Sequence, residues 1–316
     1  MVDLRRTDLA IESRELYKSD SGREVPGVEV DQEKLENITI TRVNIFDPQG
    51  SMTMGKPMGN YITLEIPDMR MGTPEFNHYV SRILSIELNR LMRRFPIHNV
   101  LVVGLGNWNV TPDALGPKVV SRVVVTRHVF EFAPEEVKPG MLSVSAIAPG
   151  VLGITGIETA DIIKGVVDRI KPDLIVAIDA LASRSTARVA STIQISDTGV
   201  SPGAGIGNRR TALDYSTLGI PVIALGIPTV VDAATMANDT IDLLIDSLIK
   251  ATPQNSQFYQ LLKDLNRDEK YSLIKEVISP YDNLMVTPKE IDEMIDDMAG
   301  IVAEGINIAL HSNMYQ

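Results

Sequence analysis

Asn99-Val100-Leu101-Val102-Val103-Gly104-Leu105-Gly106 is a short apolar run closed by glycines. It is too short for an average helix and has no polar face, so it reads as a strand buried on both sides. The same pattern returns at residues 173–178 (DLIVAI) and 221–225 (PVIAL). Residues 191–195 (STIQI) alternate and are expected to form a more exposed strand. Helical spacing lies around these runs. Phe76, Val80, Ile83, Leu84, Leu88, Leu91 and Met92 share one face before Pro96, and Ile162, Ile163, Val166, Val167 and Ile170 share another from about Glu158. Residues 232–250 are helical as well. Apolar strands alternating with helices predict an α/β fold, with a mostly parallel central sheet covered by helices on both faces.

Two flanking regions complete the outline. Residues 1–36 are polar and charged, with 19–27 (SDSGREVPG) reading as loop, so a partly mobile N-terminal arm is expected. Alternation over 38–45 and 61–66 predicts a small β-rich segment, interrupted by a Met-, Gly- and Pro-rich turn at 50–59. Thr287-Pro288-Lys289-Glu290 has the form of a capping box with proline at the first helical position, starting a helix through Ile291, Met294, Ile295, Met298 and Val302. Residues 37–316 are accordingly expected as a single α/β domain ending in helices.

Composition narrows the chemistry. Thirty basic and 41 acidic residues leave a net charge of −11, which disfavours binding to nucleic acid, where cations must displace counterions from phosphates. There is no cysteine, so thiolate catalysis, disulfides and cysteine zinc sites are excluded. No apolar signal core opens the chain and no run is long enough to span a bilayer, so a cytoplasmic protein is expected.

Two aspartates remain as candidates for catalysis. Asp113 lies in residues 104–117 (GLGNWNVTPDALGP), the loop after the first buried strand, where ligand crevices of open α/β sheets form. Its alternative role is capping the next helix. Asp179 ends the most apolar strand, where a charge is costly unless it is paired or used. Both would emerge from one sheet edge. Two nearby carboxylates cannot easily ionise together, so one keeps a proton as acid while the other activates water. Other chemistries fit poorly. The four histidines, His78, His98, His128 and His311, accompany no Gly-x-Ser-x-Gly elbow and no HExxH motif. The glycine-rich stretch 203–210 lacks a Gly-Lys-Ser/Thr ending, although it could cradle an anion; a nucleoside- or phosphate-binding α/β hydrolase is the alternative it raises.

Several blocks then match a family. GLGNWNVTPDALGP, SAIAPGVLGITGIET, AIDAL, TIQISDTG, GVSPGAGIGN and NLMVTPKEID resemble, in order, the germination proteases of spore-forming bacteria. The resemblance runs from Arg6 to near His311. It implies an aspartate-dependent endopeptidase that opens the degradation of small acid-soluble proteins coating spore DNA. Asp113 and Asp179 match the family's catalytic aspartates. The resemblance further implies a tetrameric zymogen in the spore interior, without metal or cofactor, and a fold like that of the hydrogenase-maturation endopeptidases. Thr7-Asp8-Leu9-Ala10 looks like the family's self-processing site, cut between Asp8 and Leu9. Here the stretch before Thr7 is shorter than the usual propeptide, and the segment between Ile249 and Leu265 is shorter than in longer members. A non-catalytic protein that binds the same substrates is a further alternative.

Overall fold

The computed structural model describes residues 7–203, 210–253, 255–263, 274 and 284–312. Nine strands among them join one mixed sheet: β1 Val28–Lys34, β2 Thr39–Ile45, β3 Gly59–Glu65, β4 Asn99–Gly104, β5 Ser143–Ile147, β6 Leu174–Ser183, β7 Thr192–Ser196, β8 Val222–Asp232 and β9 Met285–Val286. Their order is β1-β2-β3-β7-β8-β6-β4-β5, with β9 also on β8. The apolar runs read from the sequence, β4, β6 and β8, are neighbours and pair in parallel, with β5 beyond them. Antiparallel strands extend the sheet from β8 through β7 to β1.

Burial on both faces explains why β4 and β6 lack polar alternation. Val100 and Val102 of β4, with Leu174, Val176 and Ile178 of β6, join a core shared with α3 (Pro74–Met92), α4 (Leu115–Val120) and the C-terminal helix Ile291–Leu310. Leu101 and Val103, with Ile175 and Ala177, face the helix Thr159–Ile170 through Ala160, Ile163 and Val167. The C-terminal helix packs along α3, and Gly305 permits the approach: a β-carbon there would lie 2.8 Å from Leu84.

Four expectations are corrected. Residues 7–36 are not a mobile arm over their described length: α1 covers Ala10–Ser21, β1 pairs with β2, and the 36/37 boundary falls inside that hairpin. A few apolar side chains suffice for this, since Leu9, Ala10 and Ile11 are buried within an otherwise polar segment. The turn expected over 50–59 begins as a helix, α2 (Pro48–Met54), because Asp47 caps Gln49 N and Pro48 takes the first turn. β7 is wholly buried rather than exposed, because it lies between β3 and β8 and α1 covers its Gln194. Finally, the capping box does not form. The helix starts at Ile291 without a side-chain cap, and the Thr287 hydroxyl donates instead to the Thr229 carbonyl. β5 had not been expected at all.

Candidate active site

The loop after β4 is shaped by glycines. Gly106 has φ +112°, and a β-carbon there would lie 2.0 Å from the Asp113 carbonyl oxygen. A β-carbon on Gly116 would lie 2.3 Å from the Leu105 carbonyl oxygen. The loop therefore folds hard against the end of β4, which only these residues permit. The fold-back brings Asp113, last residue of the short turn Thr111–Asp113, to the backbone of Asn107. Asn107 N donates to Asp113 Oδ2 at 2.8 Å and to the Asp113 carbonyl at 3.1 Å. Asp113 does not cap the following helix, whose start carries no side-chain cap. Burial lifts its carboxyl to about 6, against the lowering effect of the Asn107 N–H.

Asp179 follows Ile178, the last residue of β6 to pair with β4. β4 turns away there, with Leu105 N donating to the Ile178 carbonyl. Asp179 is thus the first β6 residue past the end of β4, where the Asp113 loop lies. It is 7% exposed, and Ala180 N donates to its Oδ1 at 3.0 Å. Its carboxyl is pushed well above the ordinary range, first by burial, then by the negative charges of Asp113 and Asp8. The structure therefore brings the two aspartates expected from the sequence into electrostatic contact.

A third carboxylate, Asp8, joins them. Beyond Asp179 the place beside β6 that β4 vacates is taken by the chain's own N-terminal segment. Asp8 N donates to the Ala182 carbonyl at 2.9 Å, and Ala182 N donates to Asp8 Oδ2 at 2.9 Å. Lys56 Nζ and Gln194 Nε2 donate to the Asp8 carbonyl oxygen. Leu9 is fully buried, in a cluster with Ile11 and Leu181. Buried Glu12 secures the segment by accepting from Arg184 N at 2.7 Å and Ser185 N at 3.1 Å. Residues 7–10 thus lie along the strand that carries Asp179.

Lys56 and Gln194 were not singled out in the sequence. Lys56 sits in the stretch read as a turn. Gln194 lies in the block TIQISDTG, where one long amide in a buried strand was the available signal. The stretch 203–210 falls mostly outside the described residues, which include only Gly203 and Arg210 of it. His78 is engaged with Glu304, and His311 Nε2 contacts the Val124 carbonyl. Among the described residues no group of three or more His, Asp and Glu could hold a metal ion, and no helix is long and apolar enough to cross a membrane. A surface cavity of about 500 Å³ lined by Asn77, Arg122, Asp296 and Glu304 shares no residue with the carboxylate cluster. The cluster's chemistry makes it the better site.

Comparison with known sequences points to one family. The family model described as germination protease matches residues 4–263 and 249–316. A germination protease of Clostridium tetani is 54% identical over 306 residues, 96% of this chain and 95% of its own. One from Caldanaerobacter subterraneus subsp. tengcongensis is 55% identical over 98% of this chain and 95% of its own. One from Bacillus cereus is 46% identical over 98% of this chain and 95% of its own. Among solved structures, a nickel–iron hydrogenase maturation protease, HycI of Thermococcus kodakarensis, aligns with 70% of this chain and 98% of its own at 16% identity. Its TM-score of 0.33 is too low to carry an argument. With a family model matched over nearly the whole chain and near-complete coverage by relatives about half identical, the chain belongs to the germination protease family.

Proposed function

We propose that the chain is an aspartate-dependent endopeptidase that starts the breakdown of small acid-soluble, DNA-coating spore proteins. The observation that carries this reading is the meeting of the Asp113 loop with Asp179 at the carboxyl end of the parallel strands, where burial raises both carboxyls and the charge of Asp113 raises Asp179 further. Asp113, at about 6, is mainly ionised at neutral pH and takes a proton from the attacking water. Asp179, better buried and facing two negative charges, keeps its proton and donates it to the leaving nitrogen. The reading needs no cofactor, no metal and no direct contact with nucleic acid. It includes assembly as a homotetramer and work in the cytoplasm of the spore core. It also includes zymogen control, with self-processing between Asp8 and Leu9. The position of residues 7–10 beside β6 supports that last step.

Incubation of the purified protein with a small acid-soluble spore protein, followed by mass analysis of fragments, is the direct test. Asp113→Asn and Asp179→Asn are each expected to lower turnover at least about 10²-fold while leaving the fold intact, since each removes an acid or base role. Near-wild-type turnover in either variant would remove that residue from the mechanism. Activity is expected to survive exhaustive chelation; loss with EDTA and recovery with added zinc or nickel would instead make the reaction metal-dependent.

A further inference from the structure

The Asp8 carbonyl oxygen is held by two side-chain donors from separate elements. Lys56 Nζ, just past α2, donates at 2.8 Å, and Gln194 Nε2, on β7, donates at 3.2 Å. Most buried backbone carbonyls are satisfied by backbone N–H groups or water. Here a cation and a primary amide converge on one oxygen, an arrangement suited to stabilising negative charge as it develops. The surroundings point the same way. Asp8 is tied to Ala182 of β6, three residues beyond Asp179, by its backbone N–H and its side-chain carboxylate. Gln194 is fixed by a second contact, its Oε1 accepting from Ala10 N at 2.7 Å, so its amide is oriented before any reaction. Lys56 also reaches the Thr7 carbonyl, at 3.4 Å.

We propose that Lys56 and Gln194 form the oxyanion pocket of this peptidase. They hold the carbonyl oxygen of the bond under attack, first in the chain's own Asp8–Leu9 bond and then in a peptide lying in the same place along β6. This rests on the reading that Asp113 and Asp179 cut that bond. Asp113 removes one proton from water, whose oxygen bonds to the Asp8 carbonyl carbon. The carbonyl π pair moves onto the oxygen between Lys56 and Gln194. On collapse the C–N bond breaks and its electron pair stays on the Leu9 nitrogen, which takes the proton of Asp179. The products are the Asp8 α-carboxyl group, which ionises, and the Leu9 amine. Lys56 offsets the transient charge, and Gln194 adds a hydrogen bond that tightens as the charge grows.

Lys56→Met removes the cation. Gln194→Glu keeps the acceptor for Ala10 N and removes the donor. Self-cleavage of full-length chains is followed by mass spectrometry. Chains that begin at Leu9 are then assayed on the peptide RRTDLAIESR, which reproduces residues 5–14. Each variant is expected to lower kcat about 10²-fold with KM within about threefold of wild type, because the contact strengthens in the transition state. A residue that merely anchors the segment would raise KM or lower the melting temperature and leave kcat unchanged, which overturns the proposal. If Gln194→Glu shows no cooperative melt, Lys56→Met decides alone, since Lys56 is only half-buried. Full turnover in Lys56→Met alongside inactive Asp113→Asn and Asp179→Asn sinks the oxyanion pocket and leaves the aspartate mechanism standing. Active aspartate variants, or a wild-type chain that cuts nothing, remove the mechanism and this pocket with it.

Discussion

An ionised carboxylate at position 179 would be buried beside two others, so the folded protein holds its proton more tightly than the unfolded chain does. The consequence for stability has a definite sign. With the folded pKa raised, the carboxyl costs nothing below the unfolded value near 4, and its cost grows as pH rises above that value. Asp179→Asn is therefore expected to raise the melting temperature at pH 7 by about 3 °C, with the gain vanishing below about pH 4. Calorimetry at the two pH values checks this; an equal gain at both would assign the effect to packing. Turnover should follow a bell in pH, with its lower limb near 6 from Asp113. Loss of Asp8 with the cut segment takes away one of the charges raising Asp179, so the Asp179 carboxyl should titrate at lower pH in a chain that begins at Leu9 than in the uncut chain, which NMR titration checks.

At the scale of elements, the end of β4 matters most. Strand and loop meet there at glycine spacing, and Asp113 is aimed by that fold-back rather than by a helix cap. Gly106→Ala would combine a positive φ with a β-carbon 2.0 Å from the Asp113 carbonyl. The expected outcome is a loss of about 1–3 kcal/mol in stability. Turnover should fall at least tenfold, because Asp113 must shift. Denaturant melts and kinetics check the two separately. Wild-type turnover in a destabilised variant would show that the Asp113 position tolerates movement of its loop.

The whole molecule places the N-terminal segment beside β6, past Asp179, which the proposed mechanism makes the place of a substrate. Full-length chains are expected to cut between Asp8 and Leu9 under activating conditions, and a chain that begins at Leu9 should act on added substrate faster than one that begins at Met1. N-terminal sequencing tests the cut. Equal activity of the two chains would leave a cleavable segment with no inhibitory role.

The strands β4, β6 and β8 and the helices between them were legible because burial on both faces writes continuous apolar runs, and helices facing a core write a 3.6-residue period. Asp179 was legible because a charge at the end of such a run is conspicuous, and Asp113 because it lies in the loop at a buried strand's carboxyl end, where ligand crevices form. The local patterns misread at the N-terminus and at β7 were overridden by distant partners. Leu9 and Ile11 find Leu181 at least 170 residues away, and Gln194 finds Ala10 and Asp8. What the sequence by itself determined is the set of buried strands β4, β6 and β8 and the two aspartates at their carboxyl ends. Only the tertiary structure decided that β6 outruns β4, that the chain's own start fills the vacated place, and that Lys56 and Gln194 meet on one carbonyl oxygen, because each depends on pairing between segments with no periodicity in common.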